Sequence, residues 1–139
     1  MSPTAFLLNP PGLPGTTANR EGSAGMGVSD DRLGGFVYPP HLLASVAAVL
    51  RVANWRVKGL DAVALGLDTE SVLGRLSNAD VLIVPVSYGT LAADRAFLNL
   101  LRERKPLLKV LGIGPALSYQ QVDHGPVSYT HLDVYKRQM

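Results

Sequence analysis

The chain has 139 residues, 47% of them apolar and none of them Cys. That is enough for one globular domain with a core, and it excludes disulfides, thiolate metal sites and iron–sulfur clusters within the chain. The formal net charge of +2, without a basic run, gives no argument for nucleic acid.

Thr4 to Asn9 reads as a short buried strand that stops at Asn9-Pro10-Pro11-Gly12. Such a rigid, donor-poor turn places the following loop over the carboxyl edge of a sheet, where open α/β folds bind ligands. Pro10 to Tyr38 reads as a long loop of Gly, Ser, Asn, Asp and Arg without a period, and loops of that length are functional or disordered. Its glycine-rich centre runs from Arg20 to Gly27. Tyr38-Pro39-Pro40 leads into a helix from His41 to Ala53, with Leu42, Val46, Val49, Leu50 and Ala53 near helical spacing. Pro40 suits the first turn of that helix, where no backbone donor is missed.

Trp55 to Leu60 reads as a second strand, followed by Asp61. Thr69 to Leu76 is a short helix with Asp68 as N-cap. Val81-Leu82-Ile83-Val84-Pro85-Val86, largely β-branched, predicts a central strand covered on both faces. Ser87-Tyr88-Gly89-Thr90 is a turn. Leu91 to Arg104 is a helix with Leu91, Phe97, Leu98 and Leu101 inward, ended by Pro106. Leu107 to Ile113 is the fourth strand, closing at Gly112-Ile113-Gly114-Pro115.

The alternation predicts an α/β, Rossmann-like (flavodoxin-like) domain: three layers, a parallel sheet and helices on both faces. The expected strand order is 2-1-3-4, which puts the switch point between the first and third strands. No segment supplies the usual fifth strand, so the fourth is expected to be an open edge. No apolar run approaches the roughly 18 residues of a membrane span, and the N-terminus has no signal-peptide pattern; cytoplasm is the expected location.

The domain is expected to occupy residues 1–118, and residues 119–139 form a tail. From about Val127 the tail resembles translated vector or adaptor sequence. On that reading His131 and Tyr135 carry no function and the natural protein continues further. The other reading is a genuine C-terminal tail.

Three places offer chemistry. Ser87-Tyr88-Gly89-Thr90 presents hydroxyls and backbone donors at a helix start, suited to a phosphate or polar nucleotide edge; the plainer reading is a helix cap. Gly112-Ile113-Gly114-Pro115 permits close backbone approach to a flat ligand, or is an ordinary turn. Asp61 stands where dinucleotide folds hold a ribose, but the glycine fingerprint is missing after the first strand, which argues against NAD. His41 and His124 are isolated and read as structural or solvated. There is no Ser-His-Asp set, paired-acid motif or metal cluster.

Several segments in order resemble the N-terminal cobalamin-binding domain of cobalamin-dependent radical SAM enzymes. They are Leu7-Leu8-Asn9-Pro10-Pro11, Arg20-Glu21-Gly22, Tyr38-Pro39-Pro40 leading into Leu43–Arg51, Trp55-Arg56-Val57 to Asp61, Asp80–Ile83, Ser87–Thr90 and Leu111–Pro115. The resemblance covers roughly residues 4–117. It implies a Rossmann-like fold carrying cobalamin on the carboxyl edge. Pro10, Pro11 and Gly12 would lie beside the corrin, Ser87, Gly89 and Thr90 near the nucleotide tail, and Gly112, Gly114 and Pro115 on its other flank.

The chain lacks the Asp-x-His-x-x-Gly motif of mutase-type cobalamin domains, so no protein imidazole is expected beneath cobalt. S-adenosylmethionine and an iron–sulfur cluster would belong to a missing radical SAM domain of a methyltransferase- or cyclase-type parent, and this chain alone would not be catalytic. The competing expectation is a flavodoxin-like regulatory or interaction domain without a cofactor. That domain predicts a tight switch-point crevice with the Arg20–Gly27 loop folded into it, whereas a wide groove lined by Pro10, Ser87 and Gly112 favours cobalamin. A glycosyltransferase-like nucleotide-binding half would need a diphosphate clamp, and none is evident.

Overall fold

The computed structural model describes residues 2–21, 27–30, 37–76 and 79–117. The elements in chain order are β1 (Thr4–Asn9), β2 (Thr16–Asn19), β3 (Gly27–Asp30), α1 (His41–Val52), β4 (Arg56–Asp61), α2 (Thr69–Arg75), β5 (Val81–Pro85), α3 (Leu91–Arg104) and β6 (Val110–Ile113). A 3-10 turn, Pro115–Leu117, follows β6. The main sheet is parallel, in the order β4-β1-β5-β6. This is the expected 2-1-3-4 order of a Rossmann-like three-layer fold, with β4 and β6 at its edges.

Period-two alternation in the strands sorts the core into two layers. Ala5 and Leu7 of β1 and Ile83 of β5 face Leu43 of α1. Phe6, Leu8, Leu82 and Val84 point the other way, against Val72 and Leu73 of α2 and Phe97, Leu98 and Leu101 of α3. Helix α1 packs on one face between β1 and β4, and the chain then reverses to β5 on the other side of β1. The reversal makes the carboxyl ends of β1 and β5 the switch point.

Asp68 caps α2 as expected, its carboxylate accepting from the Ser71 amide at 2.8 Å. Other expectations need correction. The segment Pro10–Tyr38 is not loop throughout, because β2 and β3 form an antiparallel hairpin separate from the main sheet. Helix α1 turns a different stripe inward: Leu43 is buried and Val46, Ala47 and Leu50 pack beside it, whereas Val49 is 68% exposed. The last strand starts at Val110, and Leu107, taken for its first residue, is 95% exposed in a turn after α3. Lys105 and Leu108 close that turn with a backbone bond of 3.1 Å. Strand β4 runs one residue later than read, Arg56 to Asp61.

Gly114 is fixed by backbone geometry, with φ +126° and a position where a Cβ would lie 2.5 Å from the Val86 carbonyl oxygen. Gly114→Ala is expected to lower stability in urea denaturation by about 3 kcal/mol, from strain and collision together. Leu107→Ser, at an exposed turn, is expected to change it by less than about 0.5 kcal/mol.

Candidate functional site

The loops after β1, β5 and β6 leave neighbouring strand ends on one edge of the sheet. Pro10–Gly12, Ser87–Thr90 and Gly112–Pro115 therefore follow adjacent strand ends. The first two are joined through a side chain not assigned to the site: Arg20, the residue immediately after β2.

The Arg20 guanidinium is buried, and it engages Asp94 of α3 through Nε at 2.9 Å and Nη2 at 2.6 Å, both to Oδ1. Its Nη1 donates to the Asn9 amide oxygen at 3.1 Å and the Pro10 carbonyl at 2.7 Å, and Nη2 reaches the Pro11 carbonyl at 3.4 Å. The five N–H donors of a guanidinium match these five contacts. The carbonyls of Pro10 and Pro11 face the guanidinium, so the double-proline turn presents acceptors to a cation.

Asp94 is held from the other side as well. Thr90 Oγ1 donates to its Oδ2 at 2.7 Å, and Ser87 Oγ lies 2.9 Å from Thr90 Oγ1. Burial pushes the Asp94 carboxyl above its ordinary value, while the Arg20 charge, the hydrogen bonds from Arg20 and Thr90 and the Ser87 amide pull it back. Thr90 occupies the N-cap position of α3 without a side-chain cap bond. The plain capping reading of Ser87 and Thr90 is thus replaced: both hydroxyls serve the Asp94 carboxylate.

Glu21 works in the opposite direction from its neighbour. Helix α1 has no side-chain cap of its own and no acid in its first turn. Glu21 Oε1 accepts from the Leu42 amide at 3.1 Å and supplies one of the missing acceptors. Arg20 and Glu21 together fasten the hairpin to α3 on one face of the sheet and to α1 on the other, over the end of β1.

The expected seat residues divide by exposure. Pro10, Pro11, Ser87, Thr90 and Gly112 are buried; Gly12, Gly114 and Pro115 are half-buried; Gly89 is exposed. Several glycines serve contacts within the chain. A Cβ at Gly12 would stand 2.9 Å from the Thr16 carbonyl oxygen, and one at Gly112 would stand 3.2 Å from Leu117 Cδ1. At Gly27, a Cβ would lie 3.6 Å from Gly89 Cα, so β3 approaches the Ser87–Thr90 turn closely. The crevice is tight at its Arg20 end, and residues 22–26 of the loop centre lie outside the described residues. His124, His131, Tyr135 and the rest of the tail lie outside them too.

A second concavity lies between α1 and β4. It is a groove of about 300 Å³ whose lining includes Pro39, Pro40, His41 and Asp61. Asn9 Nδ2 donates to Asp61 Oδ1 at 2.9 Å, and the Ala64 amide donates to the same oxygen at 3.1 Å. A chain of hydrogen bonds therefore runs Asp94–Arg20–Asn9–Asp61 along the sheet edge. Among the described residues there is no group of three or more His, Asp or Glu able to hold a metal, and no helix long and apolar enough to cross a membrane.

A scan against protein-family models finds no match, and searches of curated proteins and of solved structures find none either.

Arg20→Met leaves the Asp94 carboxylate buried without its cation, and this is expected to cost about 3–5 kcal/mol at neutral pH. Without Arg20 the folded-state pKa of Asp94 rises further. The sign follows: a carboxyl raised in the folded state is stabilising below its unfolded pKa, and that contribution is lost as pH rises through the folded value. The variant should therefore recover stability relative to wild type on acidification. Arg20→Met/Asp94→Asn should regain most of the loss at neutral pH and show no such recovery. Urea denaturation between pH 4 and 8 measures both.

Proposed function

We propose that the chain is a cobalamin-binding module, carrying the corrin over the carboxyl edge of its sheet with no protein imidazole on cobalt. The supporting observation is the convergence of Pro10–Gly12, Ser87–Thr90 and Gly112–Pro115 on adjacent strand ends. These are the segments in which the sequence resembles the cobalamin-binding domain of radical SAM enzymes.

The fit is to the rim and not to the interior. Gly12, Gly89, Gly114 and Pro115 retain exposure and offer backbone edges to a broad, flat ligand. Ser87 and Thr90 are engaged with Asp94 and do not fit as contacts for a nucleotide tail. In this reading those two shape the rim from beneath, Arg20 fixes the proline turn beside it, and Gly89 stands at its outer surface. The cofactor supplies the group-transfer chemistry when bound. S-adenosylmethionine and an iron–sulfur cluster belong to a separate radical SAM domain, since this chain has no Cys to hold a cluster.

The buried Arg20–Asp94 pair favours a second reading, a regulatory or interaction domain of the same fold with no cofactor. A filled switch point is what that reading requires.

Gel filtration of the folded chain with hydroxocobalamin separates the two. The cobalamin reading expects co-elution at tens of micromolar cofactor and a change in the visible spectrum that His41→Ala leaves unaltered. A folded chain that elutes free of cobalamin overturns it and leaves the interaction domain. A spectrum that depends on His41 contradicts the absence of a protein imidazole.

A further inference from the structure

Strand β4 is an outer strand, and its far edge pairs with no described strand. Two backbone bonds fix its phase against β1: the Arg56 amide donates to the Pro3 carbonyl at 2.8 Å, and the Ala62 amide to the Asn9 carbonyl at 3.0 Å. In a strand, the backbone groups of alternate residues face the same neighbour. Lys58 and Leu60 share the phase of Arg56, so Val57 and Gly59 turn their N–H and C=O groups to the open edge. Among the described residues no backbone group takes them up.

The two faces of this edge differ. On the α1 side, Val57 and Gly59 line the groove together with Ala44 and Ala47 of the helix. A Cβ built at the exposed Gly59 has the Leu7 carbonyl oxygen as its nearest neighbour, 4.0 Å away, so there is room for a side chain from outside. Arg51 stands beside the turn into β4 and Asp61 at the strand's far end, so the charged lining of the groove is of opposite sign at its two ends. On the other face Arg56 and Lys58 are both exposed, at successive same-face positions. Cations on an edge strand guard it against self-pairing. A second copy would bring its own Arg56 and Lys58 to that face, where like charges on neighbouring strands are unfavourable; acids in the same places are favourable.

We propose that the open edge of β4 takes an extended segment of a partner protein that alternates acidic and apolar residues and adds a strand to the sheet. Its backbone bonds to Val57 and Gly59, its apolar side chains enter the groove over Gly59, and its acids lie beside Arg56 and Lys58. The proposal is independent of the cobalamin reading, because it concerns the outer edge of β4 and not the rim over β1, β5 and β6.

The probe is an acetylated, amidated peptide of about six residues, the length of an average strand, alternating glutamate and valine. It is titrated into the full chain and followed by amide NMR and hydrogen exchange. Saturable shifts centred on Val57 and Gly59 are expected, with a dissociation constant at or below about 1 mM and slowed exchange of those two amides. A peptide of the same composition with glutamates and valines in separate blocks, and one alternating lysine and valine, should each bind about 10-fold more weakly or worse. Arg56→Glu, at an exposed position, should keep the fold and weaken the acidic peptide about 5-fold. Gly59→Val should also stay folded, since the position has room, and weaken the peptide at least as much by filling the groove. Absence of saturable shifts, equal binding of the blocked or lysine peptide, or unchanged binding by the two folded variants overturns the proposal. Shifts of Val57 and Gly59 that depend on protein concentration without peptide overturn it in favour of a second copy.

Discussion

One buried guanidinium organises the carboxyl edge of this domain. Arg20 joins a two-stranded hairpin, a double-proline turn, the end of β1 and the first turns of α3 through its five donors. The pair with Asp94 is almost dry, with both side chains 2% exposed. A charge in such surroundings is tolerated only with its partners in place. The hairpin has little apolar surface of its own to contribute; in β2 only Ala18 and Asn19 are buried. Its position depends on side-chain bonds, those of Arg20 and those of Asn19 and Glu21 to Tyr38 and Leu42.

This arrangement determines what the switch point offers to a ligand. The hydroxyls of Ser87 and Thr90 face inward to a carboxylate, so the edge presents backbone and glycine outward. A broad ligand resting on the rim is compatible with that surface. A tail inserted between β1 and β5 is not, unless it displaces the guanidinium. The hydrogen bonds through Asn9 also reach Asp61, which ties the geometry of the α1–β4 groove to the same cation.

Much of the main sheet was legible in the sequence, and the reasons are local. Val81–Val84 is a run of branched and leucine side chains, and such a run reads as a strand covered on both faces. Asp68 stands three residues before Ser71, the spacing of a side-chain cap. The hairpin was not legible, because Thr16–Asn19 and Gly27–Asp30 lack the apolar alternation that marks a strand. In α1, Leu42 through Leu50 are nearly all apolar, so the sequence offers more than one stripe and tertiary packing selects Leu43, Val46, Ala47 and Leu50. Pro106-Leu107 continued an apolar run into the last strand, although the chain is still turning there. Arg20 lay within a polar loop, with its partner 74 residues away. A signal for that partner did exist: Asp94 lies three residues after Leu91 and three and four before Phe97 and Leu98. An acid on the inward stripe of a helix calls for a buried cation.

The most direct test of this account is the hydrogen exchange of the Arg20 side-chain Nε–H, followed by NMR in the wild-type chain. A guanidinium locked to Asp94 should exchange on the order of a thousand-fold more slowly than a free arginine, equivalent to an opening free energy of about 4 kcal/mol. Exchange at the rate of a solvated arginine would contradict the claim that Arg20 holds the carboxyl edge together.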